Sequence, residues 1–120
     1  MFTEDELSGF YGTENYYRYN NFYYLTDGTF FLSNNGAGWL IDAIASYHNQ
    51  VIENPRLKEF QLWELTVKDN SAILTCREDS GCKPFITQKI EFTDFPLQKF
   101  SLYVCPYDKN VFVILLKSEY

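Results

Sequence analysis

Nucleophilic, metal-binding and acid–base chemistry each need a particular set of side chains, and this chain supplies them sparsely. An activated Ser, Cys or Thr needs a general base beside it, usually histidine, and His48 is the one histidine present. It falls on the apolar side of a helical pattern, where a packed core or boundary imidazole is the simpler reading. No G-x-S-x-G context surrounds Ser46 or any other serine. Cys76, Cys82 and Cys105 together with His48 have the ligand types of a Cys₃His zinc site. Five residues separate Cys76 from Cys82 across an expected loop, wider than a zinc knuckle, so neither metal nor cofactor is expected. The odd thiol count, in a chain whose first residues are acidic where a secretory signal would be basic, favours reduced cysteines and a cytoplasmic protein.

Carboxylates offer the next candidate chemistry, and each has a structural explanation. Asp27 opens an Asp-Gly turn, Asp94 precedes Phe-Pro in another, and Asp42 lies in the first turns of a helix, where its charge favours the dipole. Gly36-Ala37-Gly38 precedes that helix but lacks both the P-loop lysine and the third glycine of a dinucleotide motif. An enzymatic reading would need Trp39, Asp42, His48 and Asp94 to converge on a cleft between helix and sheet. Six aromatic residues among Tyr16, Tyr17, Tyr19, Phe22, Tyr23 and Tyr24 cannot all point inward on an alternating strand, so some should reach the surface and anchor a protein contact.

These groups must be positioned by one domain, residues 1–120. Apolar residues make up 46% of the chain and aromatic residues 19%, enough for a core of its own, and no apolar run approaches the ~20 residues that span a bilayer. Thr3 and Glu6 have capping-box spacing for a short first helix. The run from Tyr16 to Thr26 and the run from Thr29 to Ser33 read as a hairpin about Asp27-Gly28. From about residue 36 to 53 the period becomes helical, with Leu40, Ala43, Ile44, Tyr47 and Val51 on one face and Asp42, Ser46, Asn49 and Gln50 opposite. Pro55 ends that helix. Five strands are then expected over 61–68, 72–78, 85–92, 99–105 and 111–117, joined as an antiparallel meander. The expected class is α+β, with order β-β-α-β-β-β-β-β and an antiparallel sheet of about six to seven strands packed on one main helix.

Four stretches carry a resemblance: Thr26-Asp27-Gly28, GAGWLIDAIASY from Gly36 to Tyr47, FQLWEL from Phe60 to Leu65 and TDFPL from Thr93 to Leu97. As a set they resemble a small bacterial family catalogued as a domain of unknown function. The resemblance implies a bacterial, plasmid or phage-like origin and a shared fold containing Trp39, Asp42, Trp63 and Asp94, and it implies no activity or cofactor.

Charge is unevenly distributed. Residues 1–54 hold seven acids, Glu4, Asp5, Glu6, Glu14, Asp27, Asp42 and Glu53, against the single base Arg18, and the whole chain is −6. An acidic surface repels phosphate backbones, so direct nucleic-acid binding is not expected. The leading expectation is a non-enzymatic, acidic protein-binding module of mobile-element type, an inhibitor or decoy on a basic partner surface. Its contacts would come from Tyr17, Tyr19, Tyr23, Trp39, Asp42, Ser46 and Asn49. A self-associating structural protein is the rival reading, because exposed strand aromatics or an open sheet edge promote homo-oligomers.

Overall fold

From Gln61 onward β-prone runs separated by turn residues form the sheet, and every second side chain of a strand shares a face. In the computed structural model, which describes residues 2–120, strands β1 to β7 are Tyr17–Arg18, Tyr23–Leu25, Gln61–Lys68, Ser71–Arg77, Ile86–Ile90, Lys99–Asp108 and Val111–Leu116. They form one seven-stranded sheet in the order β1-β2-β7-β6-β3-β4-β5. The five later strands lie within a few residues of their expected bounds. Their arrangement is not a simple meander, however: β6 pairs with β3 rather than with β5, giving the Greek-key order β6-β3-β4-β5. The connection across the end of the β3–β4 hairpin is held by Thr93 N–H donating to Asn70 O at 2.8 Å and Val67 N–H donating to Gln98 O at 2.8 Å. Phe95, within that connection, buries its ring against Phe2, Trp39 and Phe100.

The first third departs most from expectation. Asp27-Gly28 does not turn a hairpin; it begins helix α2, Asp27–Leu32, following the short α1 at Glu4–Leu7. Thr26 is the N-cap, and Thr26 and Thr29 satisfy each other's backbone N–H groups through their hydroxyls. The hairpin lies earlier, where Asn20 Oδ1 accepts from the N–H groups of Phe22 and Tyr23 at 2.8 and 2.9 Å and turns β1 into β2. β2 then runs parallel to β7, so the sheet is mixed rather than wholly antiparallel.

A carboxylate from the far end of the chain holds this arrangement. Glu119 accepts from Thr26 Oγ1 at 2.6 Å, Gly28 N–H at 2.9 Å and Leu116 N–H at 3.0 Å, placing negative charge at the start of α2. A Cβ on Gly28 would stand 2.5 Å from Leu116 Cδ1 and 2.6 Å from Glu119 Oε1, so no larger residue fits without displacing both.

The single expected helix is also divided. A π-type turn at Ser33–Ala37, in which Gly36 has φ 99°, leads into α3 at Gly38–Ala45. Tyr47, at φ −93° and ψ 12°, separates α3 from α4 at His48–Ile52, and Asn54 caps α5 at Pro55–Glu59. The break rotates the stripe, so that Leu40, Ile41, Ile44, His48 and Val51 are buried while Ala43, Tyr47 and Ile52 are half-buried. These helices cover one sheet face, where Trp63, Leu65, Leu74, Leu102, Val104 and Ile114 complete the core.

Gly28→Ala is expected to destabilise the protein by about 1–3 kcal/mol through overpacking. Glu119→Ala should cost a similar ~1–3 kcal/mol by stranding buried donors, and Glu119→Gln less, since an amide oxygen still accepts. Urea unfolding of the three variants measures this order.

Candidate functional site

The strand registers sort side chains into two faces of opposite character. Positions in phase with Trp63, including Leu65, Leu74, Cys76, Leu102, Val104, Phe112 and Ile114, carry no charged residue. Positions in phase with Glu64 carry Arg18, Lys68, Arg77, Lys89 and Lys99 against the two acids Glu64 and Asp108, the latter brought to this face by the bulge in β6. This open face therefore has a surplus of positive charge inside a chain of net −6. Arg77 organises its centre: Nε lies 3.0 Å from Glu64 Oε1, and Nη1 donates to Cys82 O at 2.6 Å, tying the loop after β4 to the sheet.

Toward β7 and β2 the same face becomes aromatic. Tyr24 and Tyr103 flank Val113 and Leu115 in register. Tyr107 packs on Tyr24 at 4.6 Å and on Tyr16 at 5.6 Å, while Phe60, Tyr103 and Tyr120 form a second trio with centroid separations of 4.9–5.6 Å. The ring planes within these pairs meet at 35–75°. Val113 and Leu115 are nearly enclosed, whereas Tyr16, Tyr107 and Tyr120 are 52%, 50% and 74% exposed. Lys117 Nζ lies 5.9 Å from the Tyr103 ring centroid, a cation–π approach.

The residues expected to make contacts from sequence are dispersed. Tyr23 belongs to the core, since β2 lies inside the sheet between β1 and β7, and it is fully buried. Tyr17 stacks on Phe30 at 4.0 Å and donates to Asp27 Oδ1 at 3.0 Å, while Tyr19 is half-buried against the core. Trp39 meets Phe95 edge-on at 6.2 Å. Asp42, Ser46 and Asn49 are exposed on α3, its end and α4, and Ser46 Oγ donates to Ala43 O at 2.6 Å in closing the helix. Trp39 and His48 sit in separate aromatic clusters, with Phe95 and with Phe22, Tyr23 and Phe112 respectively, so the four residues of the enzymatic reading do not form one constellation. Lys68, Arg77, Lys89, Lys99, Tyr103, Tyr107 and Tyr120 are not among the residues selected from sequence, which names Arg18 and Tyr24 without placing them on this face. The signal of the bases lies in the strand phase, since β1, β3, β4, β5 and β6 each carry one lysine or arginine in phase with Glu64.

Residues 1–120, the whole chain, match DUF6876, described as a family of unknown function. The chain belongs to DUF6876. No curated protein and no solved structure matches it. The family assignment agrees with the expected resemblance to a family of unknown function, and it assigns no activity.

Several titratable groups of this DUF6876 chain are shifted by the contacts that hold the fold. Asp27 Oδ2 accepts from Glu14 N–H at 3.0 Å; that bond, followed by those from Tyr17 and Asn15, holds its carboxyl below the usual aspartate range. The same bond to Asp27 raises Tyr17. His48 is buried, with Phe22 lying flat on its ring at 4.1 Å and Nδ1 3.3 Å from Tyr23 Oη, and burial lowers its pKa. Burial also pushes Cys76 up to about 12 and Cys105 up to about 11. Among the described residues no three His, Cys, Asp or Glu side chains are grouped to hold a metal ion. No described helix is long and apolar enough to cross a membrane.

Two consequences can be measured. The lowered pKa of His48 means that the unfolded chain takes up a proton below about pH 6.5 that the folded chain resists, so stability should be level above that pH and decline below it. His48→Phe should remove this decline in urea midpoints compared between pH 7.5 and 5.5. Ellman's reagent at pH 8 should react fastest with Cys82 in the native protein, more slowly with half-buried Cys105, and with buried Cys76 only on unfolding.

Proposed function

We propose that the protein is a non-enzymatic binding module that engages an acidic segment of another protein through the open face of its sheet. The single observation behind this reading is the coincidence, on one face, of five basic strand positions with two exposed tyrosine clusters. Tyrosine and arginine are the residue types that carry binding energy at protein interfaces, and the lysines supply complementarity to carboxylates. The molecule measures 35 × 32 × 24 Å, so its broad side accommodates the roughly 800 Å² per partner of a standard interface.

The acid-rich first half offers a weaker surface for a basic partner. Its acids are spread over α1, the 13–17 loop, α3 and the end of α4, and the Asp27 carboxylate is already occupied. Ring geometry favours a protein over single-stranded nucleic acid. Bases stack on rings presented flat and in succession, whereas the tyrosines here lean on one another at steep angles and shelter Val113 and Leu115.

The test is site-specific photo-crosslinking in the native host, with benzoylphenylalanine at Thr66 or Thr87 on the open face and at Asn49 on the helix side. Adducts from Thr66 and Thr87 should map to an acidic segment of one protein and disappear in Arg77→Glu/Lys89→Glu. Adducts only from Asn49 would overturn the reading. Nuclease-sensitive adducts would replace it with a nucleic-acid partner, and adducts to the protein's own chain with self-association.

A further inference from the structure

A cleft of about 360 Å³ opens where α1 meets the start of β6 and the end of β7. Its walls combine two chemistries: Leu7, Leu97 and Phe100 are apolar, while Lys99, Lys117 and Ser118 stand at the polar side. Phe100 lies on the core face and its neighbour Lys99 on the open face opposite Thr66, and both line the cleft because β7 ends at Leu116, opposite Leu102, leaving the start of β6 without a β7 partner. Among the described residues neither lysine has a carboxylate within 4.0 Å, because the ion pairs are Arg56–Glu78 and Arg77–Glu64. Lys117 lines the cleft, and its Nζ lies 5.9 Å from the centroid of the Tyr103 ring, which stands outside the lining. Glu4 is the one acid in the lining, on the α1 side, leaving a net positive charge.

A small pocket with apolar walls and a few convergent polar groups is the usual form of a ligand site, and this volume lies at the small end of that range. We infer that the cleft binds a small amphipathic anion, a carboxylate or phosphate monoester on an apolar body, with the body against Leu7, Leu97 and Phe100 and the charge between Lys99 and Lys117. The lysines act as flexible point charges and do not demand bidentate geometry, so the site selects for one negative group joined to apolar mass.

Decanoate and decyl phosphate serve as the anionic probes, 1-decanol as the neutral analogue and inorganic phosphate as the anion alone. They are titrated into the full chain labelled with ¹⁵N and followed by amide shifts. Decanoate or decyl phosphate should saturate at one equivalent and shift Leu97, Phe100 and Ser118; which binds tighter distinguishes the two headgroup sources. Lys99→Gln and Lys117→Gln should each weaken binding about fivefold, in the range of an exposed ion pair, while Lys58→Gln, on α5 and outside the cleft, should not. Decanol binding equal to decanoate, equal binding of inorganic phosphate, shifts centred on Tyr107 and Tyr24, or no binding by either amphiphile would each overturn the inference. Because Lys89 and Arg77 lie outside the cleft, this result is separable from the crosslinking result.

Discussion

The Glu119 carboxylate at the start of α2 is the contact that joins the two halves of the chain. β2 is only three residues long, too short to hold a parallel register by its own ladder, and it must nevertheless place Tyr23 and Leu25 beside Phe112 and Ile114. The carboxylate bonds on one side to Thr26 and Gly28, directly after β2, and on the other to Leu116 N–H, the last residue of β7. Both strand ends therefore share one acceptor. Thr29 Oγ1 adds a bond to Ile114 O at 2.8 Å. Closing a loop of some ninety residues costs entropy that grows only slowly with length, so a few charge-assisted bonds can carry it.

That contact also explains where local sequence reading succeeds and fails. Later strands obey a period of two with turn residues between them, and each boundary is set by neighbours a few positions away; hence β3 has the expected limits. Thr26-Asp27-Gly28-Thr29 is locally ambiguous, because an Asp-Gly pair suits a tight turn and a Thr-x-x-Thr suits a helix cap. The arbiter is residue 119, more than ninety positions away. The strand order is equally non-local: β6 finds β3 because the 91–98 connection buries Phe95 in the core, which short-connection reasoning does not anticipate.

The site was legible in its parts and missed in its sum. The sequence points to surface tyrosines and selects Tyr17, Tyr19 and Tyr23, while Tyr103, Tyr107 and Tyr120 lie outside the aromatic run it draws on. The phase of β2 could not be set while it was thought to pair with the residues of α2. The exposed strip of Asp42, Ser46 and Asn49 was correctly placed on the polar side of the helices. Nothing gathers around it, since the break at Tyr47 divides the strip and Ser46 is spent on closing α3.

Net charge was the most misleading global number. Counting along the chain assigns the acidic surplus to residues 1–54 and a balance to the rest, yet folding separates charges by strand phase rather than by sequence half. Even its smallest dimension, 24 Å, is about three times the ~8 Å screening length at physiological salt. A partner docked on the open sheet therefore responds to Arg18, Lys68, Arg77, Lys89 and Lys99 at contact range and little to acids on the opposite side. Overall acidity is for that reason a weak argument against an anionic partner, and selection between an acidic protein and a nucleic acid falls to the short-range geometry of the tyrosines. Rings that brace one another over Val113 and Leu115 offer a continuous apolar ridge beside the bases, a surface suited to side chains of mixed character more than to a file of stacked bases.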